Sequence, residues 1–350
     1  MGDLIKIQDK IIGENNSTFI IAEMSANHLQ NFDRAVEIIK KAKWAGADAI
    51  KLQTYTPDTI TLDCDNEYFQ IKQGTIWDGT TLHKLYEEAY TPWEWQPKLK
   101  QIAEDEGLIW FSSPFDKTAV EFLEDMDVPA YKIASFEITD IPFIEYIASK
   151  GKPVIMSTGI ATLSDIEEAI NACRKVGNNQ IALLKCTSAY PAPVEEANLT
   201  TIPNIAETFD VVTGLSDHTL GSAVSVAAVA LGAKIIEKHF TLSREDGGPD
   251  SAFSMEPHEF KQMVVDIRNV ERALGKISYD LTEKQQNSRQ HSRSLFVVKD
   301  VKEGEEFTEE NVKSIRPGFG MKTKYIKDVI GKKASCNISK GTPMDWKFIR

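Results

Sequence analysis

Residues 211–218, VVTGLSDH, and residues 235–240, IIEKHF, are two apolar runs of strand length that each end abruptly in charge and an imidazole. Such a run reads as a buried strand whose C-terminal end opens into a polar mouth. Similar short apolar runs recur at 19–22, 49–52, 108–111, 130–133, 153–156, 181–184, 210–215 and 234–236. Between them lie amphipathic stretches with apolar residues at helical spacing, among them 32–44, 163–176 and 256–274. Eight strands, each followed by a helix, imply a parallel sheet, and the number matches a closed (β/α)8 barrel, a TIM barrel, over residues 1–275. The alternative is an open doubly wound sheet, but no GxGxxG follows the first strand.

A chain of 350 residues has room for such a barrel and a small second domain. Residues 276–290 are polar and rich in Lys, Gln and Asn, as a linker should be. Residues 291–350 carry short strand patterns punctuated by Gly and Pro, in a piece small enough to be expected to dock on a partner surface. One connection is long: 54–92 holds Tyr55, Tyr68, Phe69, Trp77, Tyr86 and Tyr90. It is either functional or a packed loop with its own aromatic cluster.

Apolar residues at 42% and charged residues at 26% belong to a globular protein. Lys plus Arg number 40 against 52 Asp plus Glu, a net charge of -12 that disfavours nucleic acid as a partner. The first 13 residues lack a signal-peptide core, and no run approaches the roughly 20 apolar residues of a membrane span, so a cytoplasmic protein with no membrane partner is expected. Cys64, Cys173, Cys186 and Cys336 are scattered and read as free thiols.

A (β/α)8 barrel builds its site at the C-terminal ends of its strands. Those ends carry, in order, Glu23; Lys51 with Gln53; Ser112 with Ser113; Lys132 with Ser135; Ser157 with Thr158; Lys185 with Thr187 and Ser188; Ser216 with Asp217 and His218; and Glu237 with His239. Lys51, Lys132 and Lys185 among hydroxyls make a trap for an anion with many acceptor oxygens, such as a small phosphorylated acid. His218 and His239 follow neighbouring strands. Two neutral imidazoles with room for water and substrate suit a divalent ion such as Mn²⁺ or Zn²⁺ in an open site, there to polarise a carbonyl, with Glu23 near enough to hold a metal-bound water. Two alternatives stand beside this: histidines that only hydrogen-bond in a polar mouth, and lysines that act as Schiff-base nucleophiles.

The motifs IIAEMSANH, IKLQTY, SSPFD, YKIASFE, MSTG, LLKCTSAYPAP, GLSDHT and EKHFTL, in this order, resemble the sialic acid synthase family of phosphoenolpyruvate-dependent nonulosonate synthases. The C-terminal piece resembles the antifreeze-like (SAF) domain that follows the barrel in that family. TIWDGTTLHKLYEEAYTPWEW and GGPDSAFSMEP look more like the pseudaminate branch than the N-acetylneuraminate or legionaminate branches, which share the chemistry. The resemblance implies condensation of phosphoenolpyruvate with the open-chain aldehyde of an acetamido sugar, 2,4-diacetamido-2,4,6-trideoxy-L-altrose for this branch, with release of phosphate by C–O cleavage.

The resemblance also implies residue roles. Phosphoenolpyruvate would be held by Lys51, Ser113, Lys132, Ser135, Ser157, Ser188 and Ser216. His218 and His239 would bind the metal ion (Mn²⁺, Mg²⁺ or Co²⁺), and Glu23 would be the acid/base. Gln53, Tyr190, Glu237 and Asp250 would contact the sugar, joined by Arg316 from the second domain of a neighbouring subunit in a domain-exchanged homodimer. Ser113 stands where relatives commonly have Thr and Ser188 where neuraminate synthases have Asn; each keeps an oxygen but changes reach or donor number. The GGPDSAFS stretch keeps the GPD core and then departs, which is where the sugar should be discriminated. Two further alternatives are a different phosphoenolpyruvate-using synthase on the same barrel, condensing it with a sugar phosphate, which would need a further cationic cluster, and a non-catalytic barrel serving as a scaffold for a sugar-binding SAF domain.

Overall fold

All eight expected strands form, and they close. In the computed structural model, which describes residues 4–13, 15–72 and 74–350, a short hairpin of β1 (Ile5–Ile7) and β2 (Lys10–Ile12) precedes the barrel. The barrel strands are β3 (Phe19–Glu23), β4 (Ala49–Thr54), β5 (Ile109–Pro114), β6 (Tyr131–Ile133), β7 (Val154–Ser157), β8 (Ile181–Cys186), β9 (Val212–Asp217) and β10 (Ile235–His239). Their order is sequential, and β10 pairs in parallel with β3 to complete the ring. Closure leaves the barrel sheet itself without an open edge.

The helices between the strands start and stop where local chemistry directs. Phe32–Ala45 begins at Asn31, whose side chain accepts from Arg34 N–H, and ends at Gly46 with φ 93°. Leu163–Lys175 opens on a capping box of Thr162 and Asp165, and Pro257–Leu274 on one of Glu256 and Glu259 with Pro at its first turn. Each turns an apolar stripe onto the barrel; Ile38, Ile39 and Ala42 of the first are fully buried.

Inside the ring, side chains from alternating positions fill the space. Gly214 of β9 is required there: a Cβ would lie 2.3 Å from the Ile235 carbonyl oxygen and 2.7 Å from Leu184. The N-terminal hairpin, whose strands are too short to stand out in the sequence, adds Ile5, Ile7 and Ile12 to the same core. Lys10 pairs with Asp48 just ahead of β4, so the hairpin lies at the end of the barrel opposite the strand C-termini.

The chain divides into two compact units, 1–275 and 276–350. The stretch expected to be a plain linker carries a helix, Glu283–Ser288, capped by Thr282 and Gln285. The second unit has its own core of Leu295, Val297, Val301, Phe307, Val312 and neighbours around the antiparallel pair β11 (Ser294–Val297) and β12 (Val312–Ile315). Among the described residues no helix is long and apolar enough to cross a membrane.

Candidate active site

Strand register decides which polar residues meet. Across the barrel wall Glu23 is level with Lys51 and His239, Gln53 with Ser113, and Ser216 with both Cys186 and Glu237. Level residues on neighbouring strands share a face, so these side chains converge within the C-terminal mouth.

Two buried lysines form its centre. Lys51 Nζ lies 2.7 Å from Glu23 Oε2, 3.6 Å from Glu237 Oε1 and 3.3 Å from Ser113 Oγ. Lys132 Nζ donates to Ser157 Oγ at 2.7 Å and lies 3.8 Å from Glu237 Oε1. Gln53 Nε2 donates to Glu23 Oε1 and to Ser25 Oγ, each at 3.0 Å, and so fixes the Glu23 carboxyl. Charges this deep persist only because they are paired.

Burial, reinforced by the Glu237 charge and opposed by Lys51, pushes the Glu23 carboxyl up to about 7. Burial would raise Glu237 as well, but the Lys132 and Lys51 ammonium groups, with a hydrogen bond from Ser216, outweigh it and hold that carboxylate below its ordinary range. Burial lowers Lys132, with Glu237 opposing. One carboxyl of the pair is therefore poised to gain or lose a proton near neutrality while the other stays ionised.

Beside the lysines is a cradle of hydroxyls. Gly159 N–H donates to Ser135 Oγ at 3.1 Å. A Cβ on Gly159 would fall 2.0 Å from Ser188 Oγ, 2.7 Å from Ser135 Oγ and 3.1 Å from Cys186 Sγ. Ser188 Oγ and Glu237 Oε2 are buried with no hydrogen-bond partner, as groups that await a ligand would be. Gly159→Ala would push a methyl group into this space. It is expected to raise KM for the anionic substrate at least ~10-fold while leaving the far-UV CD spectrum unchanged, since ~1.4 kcal/mol of lost binding already gives that factor.

The imidazoles stand next to this cradle, with ring centroids 5.3 Å apart. His218 Nδ1 is 3.0 Å from the Thr187 carbonyl oxygen. A carbonyl only accepts, so Nδ1 carries the proton and Nε2 keeps its lone pair free. His239 is held neutral: burial first, then the Lys51, Lys238 and Lys132 ammonium groups, lower it well below the ordinary histidine range, and its Nδ1 is buried without a hydrogen-bond partner. Two such nitrogens fit a divalent ion. Among the described residues no group of three or more His, Cys, Asp or Glu is arranged to hold one, so the protein would supply two ligands and leave the rest to water or substrate.

Tyr190 lies over His218 at 4.4 Å, and Phe253 meets His239 at 4.9 Å. Asp250 Oδ2 accepts from Ala26 N–H at 3.3 Å and is 3.9 Å from His239 Nδ1. Of the residues expected to contact sugar, Tyr190 and Asp250 thus lie beside the imidazoles, where the aromatic rings collect, whereas Gln53 and Glu237 lie with Glu23 and the two lysines. Arg316 follows β12 in the second unit.

Other strand-end groups face elsewhere. Lys185 is level with Leu215, not with Ser216, and its ammonium donates to the Cys186 carbonyl at 2.6 Å and to Thr187 Oγ1 at 3.4 Å. The two-residue alternation of β8 gives the interior to Cys186, so Lys185 does not join Lys51 and Lys132 in the anion trap. Ser112 bonds Thr54 on the outer face, and Asp217 pairs with Lys238 there at 2.8 Å. Cys186, a free thiol as expected, lies 3.8 Å from His218 Nδ1. Burial would raise it, but His218, Ser135 and Lys132 bring it down to about 7. Strand phase was the available signal for Cys186; Gly159 offered none, because a site glycine is identified only by what surrounds it.

A closed (β/α)8 barrel that buries two lysines, two glutamates and two imidazoles at its C-terminal mouth is an enzyme site for an oxygen-rich anion and a second, polar substrate. Residues 38–279 match the NeuB family and residues 292–350 the SAF domain; the chain belongs to the NeuB family. It is 49% identical over 327 residues to the pseudaminic acid synthase of Campylobacter jejuni, covering 93% of this chain and 95% of that one. It is 47% identical over 326 residues to the pseudaminic acid synthase of Helicobacter pylori, covering 93% and 96%. Among solved structures, N-acetylneuraminic acid synthetase from Leptospira borgpetersenii superposes with a TM-score of 0.74 at 31% identity, over 82% of this chain and 95% of that one.

Proposed function

We infer that this chain condenses phosphoenolpyruvate with 2,4-diacetamido-2,4,6-trideoxy-L-altrose and water, yielding pseudaminic acid and phosphate. The observation that carries the reading is the juxtaposition, in one buried mouth, of the Lys51 and Lys132 ammonium groups with the His218 and His239 imidazoles. The choice of branch rests on the 49% identity to the Campylobacter jejuni relative. A scaffold has no use for ionised groups kept out of water, which cost stability unless they serve a ligand.

Lys51, Lys132 and the hydroxyls of Ser113, Ser135, Ser157, Ser188 and Ser216 hold the phosphate and carboxylate of phosphoenolpyruvate. Their fixed positions set its methylene carbon against the sugar aldehyde in near-attack geometry. His218 and His239 would hold a divalent ion, Mn²⁺, Mg²⁺ or Co²⁺, which when bound supplies Lewis-acid polarisation of the aldehyde. The enol carbon adds to the aldehyde carbon, whose oxygen takes the C=O electron pair and a proton to become a hydroxyl, leaving cationic character on the carbon that bears phosphate. Glu23, ionised above about pH 7, takes a proton from the water that adds there. Collapse of the tetrahedral carbon breaks its bond to the phosphate oxygen and forms the keto group.

Phosphoenolpyruvate labelled with ¹⁸O at the bridging oxygen tests the sequence of bonds: the label is expected in released phosphate, and label in the keto acid would contradict it. For the metal, Mn²⁺ added to chelator-treated protein should raise Tm, and a His218→Ala, His239→Ala double variant should show no rise. An unchanged response in that variant would remove the two imidazoles as ligands.

With phosphoenolpyruvate as substrate the reaction belongs in the cytoplasm. Assembly as a homodimer, with Arg316 of one protomer serving the sugar of its partner, completes the reading, since a planar cation suits an acetamido carbonyl. Mixing inactive Lys132→Met and Arg316→Ala proteins should then restore part of the activity. A mixture of subunits shown to exchange that stays silent would refute the shared site.

A further inference from the structure

We propose that Trp77, carried on the long 54–92 connection, is a specificity-determining residue of the sugar subsite, walling the end of the sugar remote from the aldehyde and favouring a methyl group there over a hydroxymethyl group. The proposal rests on the function inferred above and deepens it.

The loop tip around Trp77 is exposed in composition and in fact: Ile76 is 50% and Tyr68 81% accessible. Trp77 alone of these turns inward and is half-buried. Its indole N–H donates to the Pro249 carbonyl at 2.9 Å, next to Asp250. Its ring lies 5.4 Å from that of Tyr190. Trp77 therefore bridges the loops after β8 and β10 that carry two of the candidate sugar contacts.

The base of the tip is built to hold this pose. Asp78 accepts from Gly74 N–H at 2.9 Å, Thr75 N–H at 2.8 Å and Thr75 Oγ at 2.9 Å. Ile71 exchanges backbone bonds with Thr80 and Gly79, and its side chain is buried. Ordering an exposed tip costs conformational entropy, which must be offset by what the tip contacts.

Direction follows from the ring order. Tyr190 touches both imidazoles on one side, at 4.4 and 6.5 Å, and Phe253 at 5.2 Å; Trp77 lies beyond it. An open-chain hexose with its aldehyde at the imidazoles runs its far end outward along Tyr190 to Trp77. The wall it meets there is aromatic, formed by Trp77 and the Tyr190 ring against it. Such a surface gains from burying a methyl group and leaves a hydroxyl without a partner.

The test compares wild type, Trp77→Ala and Trp77→Phe with two sugars, the 6-deoxy substrate and its 6-hydroxy counterpart, measuring kcat/KM for each together with KM for phosphoenolpyruvate. Trp77→Ala should lower kcat/KM for the 6-deoxy sugar ~10- to 100-fold and shrink the preference for it by a similar factor, the range a single pocket contact commands. KM for phosphoenolpyruvate should stay within about two-fold of wild type, and Trp77→Phe, which keeps an aromatic wall without the indole N–H, should retain most of the preference. A preference unchanged in both variants overturns the proposal. So does equal loss in both with a raised KM for phosphoenolpyruvate, which would mark Trp77 as a loop tie through Pro249. Wild type that does not turn over the 6-deoxy sugar, yet is stabilised by phosphoenolpyruvate in a melting experiment, overturns the functional reading and this inference with it.

Discussion

Glu23→Gln is expected to lower kcat about 10²- to 10⁴-fold, the contribution of a positioned general base. The amide keeps the shape and can still face Gln53, but it accepts no proton and no longer pairs with Lys51. The pH profile carries the sharper expectation. In the wild type the carboxyl is raised to about 7, so below that pH it is protonated and cannot act as the base. The rate should rise with pH through about 7 and then level, and Glu23→Gln should lack that inflection. A variant with reduced kcat but the same inflection near 7 would move the base to another group.

Lys132→Met is expected to reduce kcat/KM for phosphoenolpyruvate about 10²- to 10³-fold, with a far smaller effect on KM for the sugar. Methionine fills much the same volume, so the loss is of charge and of the bond to Ser157. Removing one member of a buried, hydrogen-bonded charge set commonly costs ~2–5 kcal/mol. Part of that loss arises because Glu237 then keeps Lys51 as its remaining close ammonium partner. Lys132→Arg should not restore the wild-type value, because a planar fork cannot replace a compact ammonium that fits between Ser157 and Glu237. An unchanged kcat/KM for phosphoenolpyruvate in a folded Lys132→Met protein would make this lysine structural.

How far the sequence reaches depends on what kind of information a residue carries. The barrel strands are legible because runs such as IIEKH and FIIAE have no other stable use than a buried parallel sheet. Glu23, Lys51, Lys132, His218 and His239 were legible because strand ends in a closed barrel must face one mouth. Strand phase was harder. Lys185 and Cys186 differ by one position, and only register with Leu215 and Ser216 shows that the cysteine points inward and the lysine away.

The hairpin at 5–12 was too short to stand out, each strand having three residues. The 54–92 connection had two readings, functional or packed loop, and its rings divide between two places. Tyr55 packs on Tyr86 and Phe115 as a local aromatic cluster, whereas Trp77 leaves that cluster for Tyr190. Composition could list these rings but not sort them, since the contacts that separate them join segments more than a hundred residues apart.

The reading of this chain as a pseudaminate-forming condensing enzyme is tested most directly by phosphate release from phosphoenolpyruvate in the presence of Mn²⁺, with three sugars offered separately. These are 2,4-diacetamido-2,4,6-trideoxy-L-altrose, N-acetylmannosamine and the 2,4-diacetamido-6-deoxymannose used by legionaminate-forming enzymes. Release is expected with the altrose sugar and at background level with the other two. Release with one of the others in its place would contradict the branch, and silence with all three in folded protein would contradict the chemistry itself.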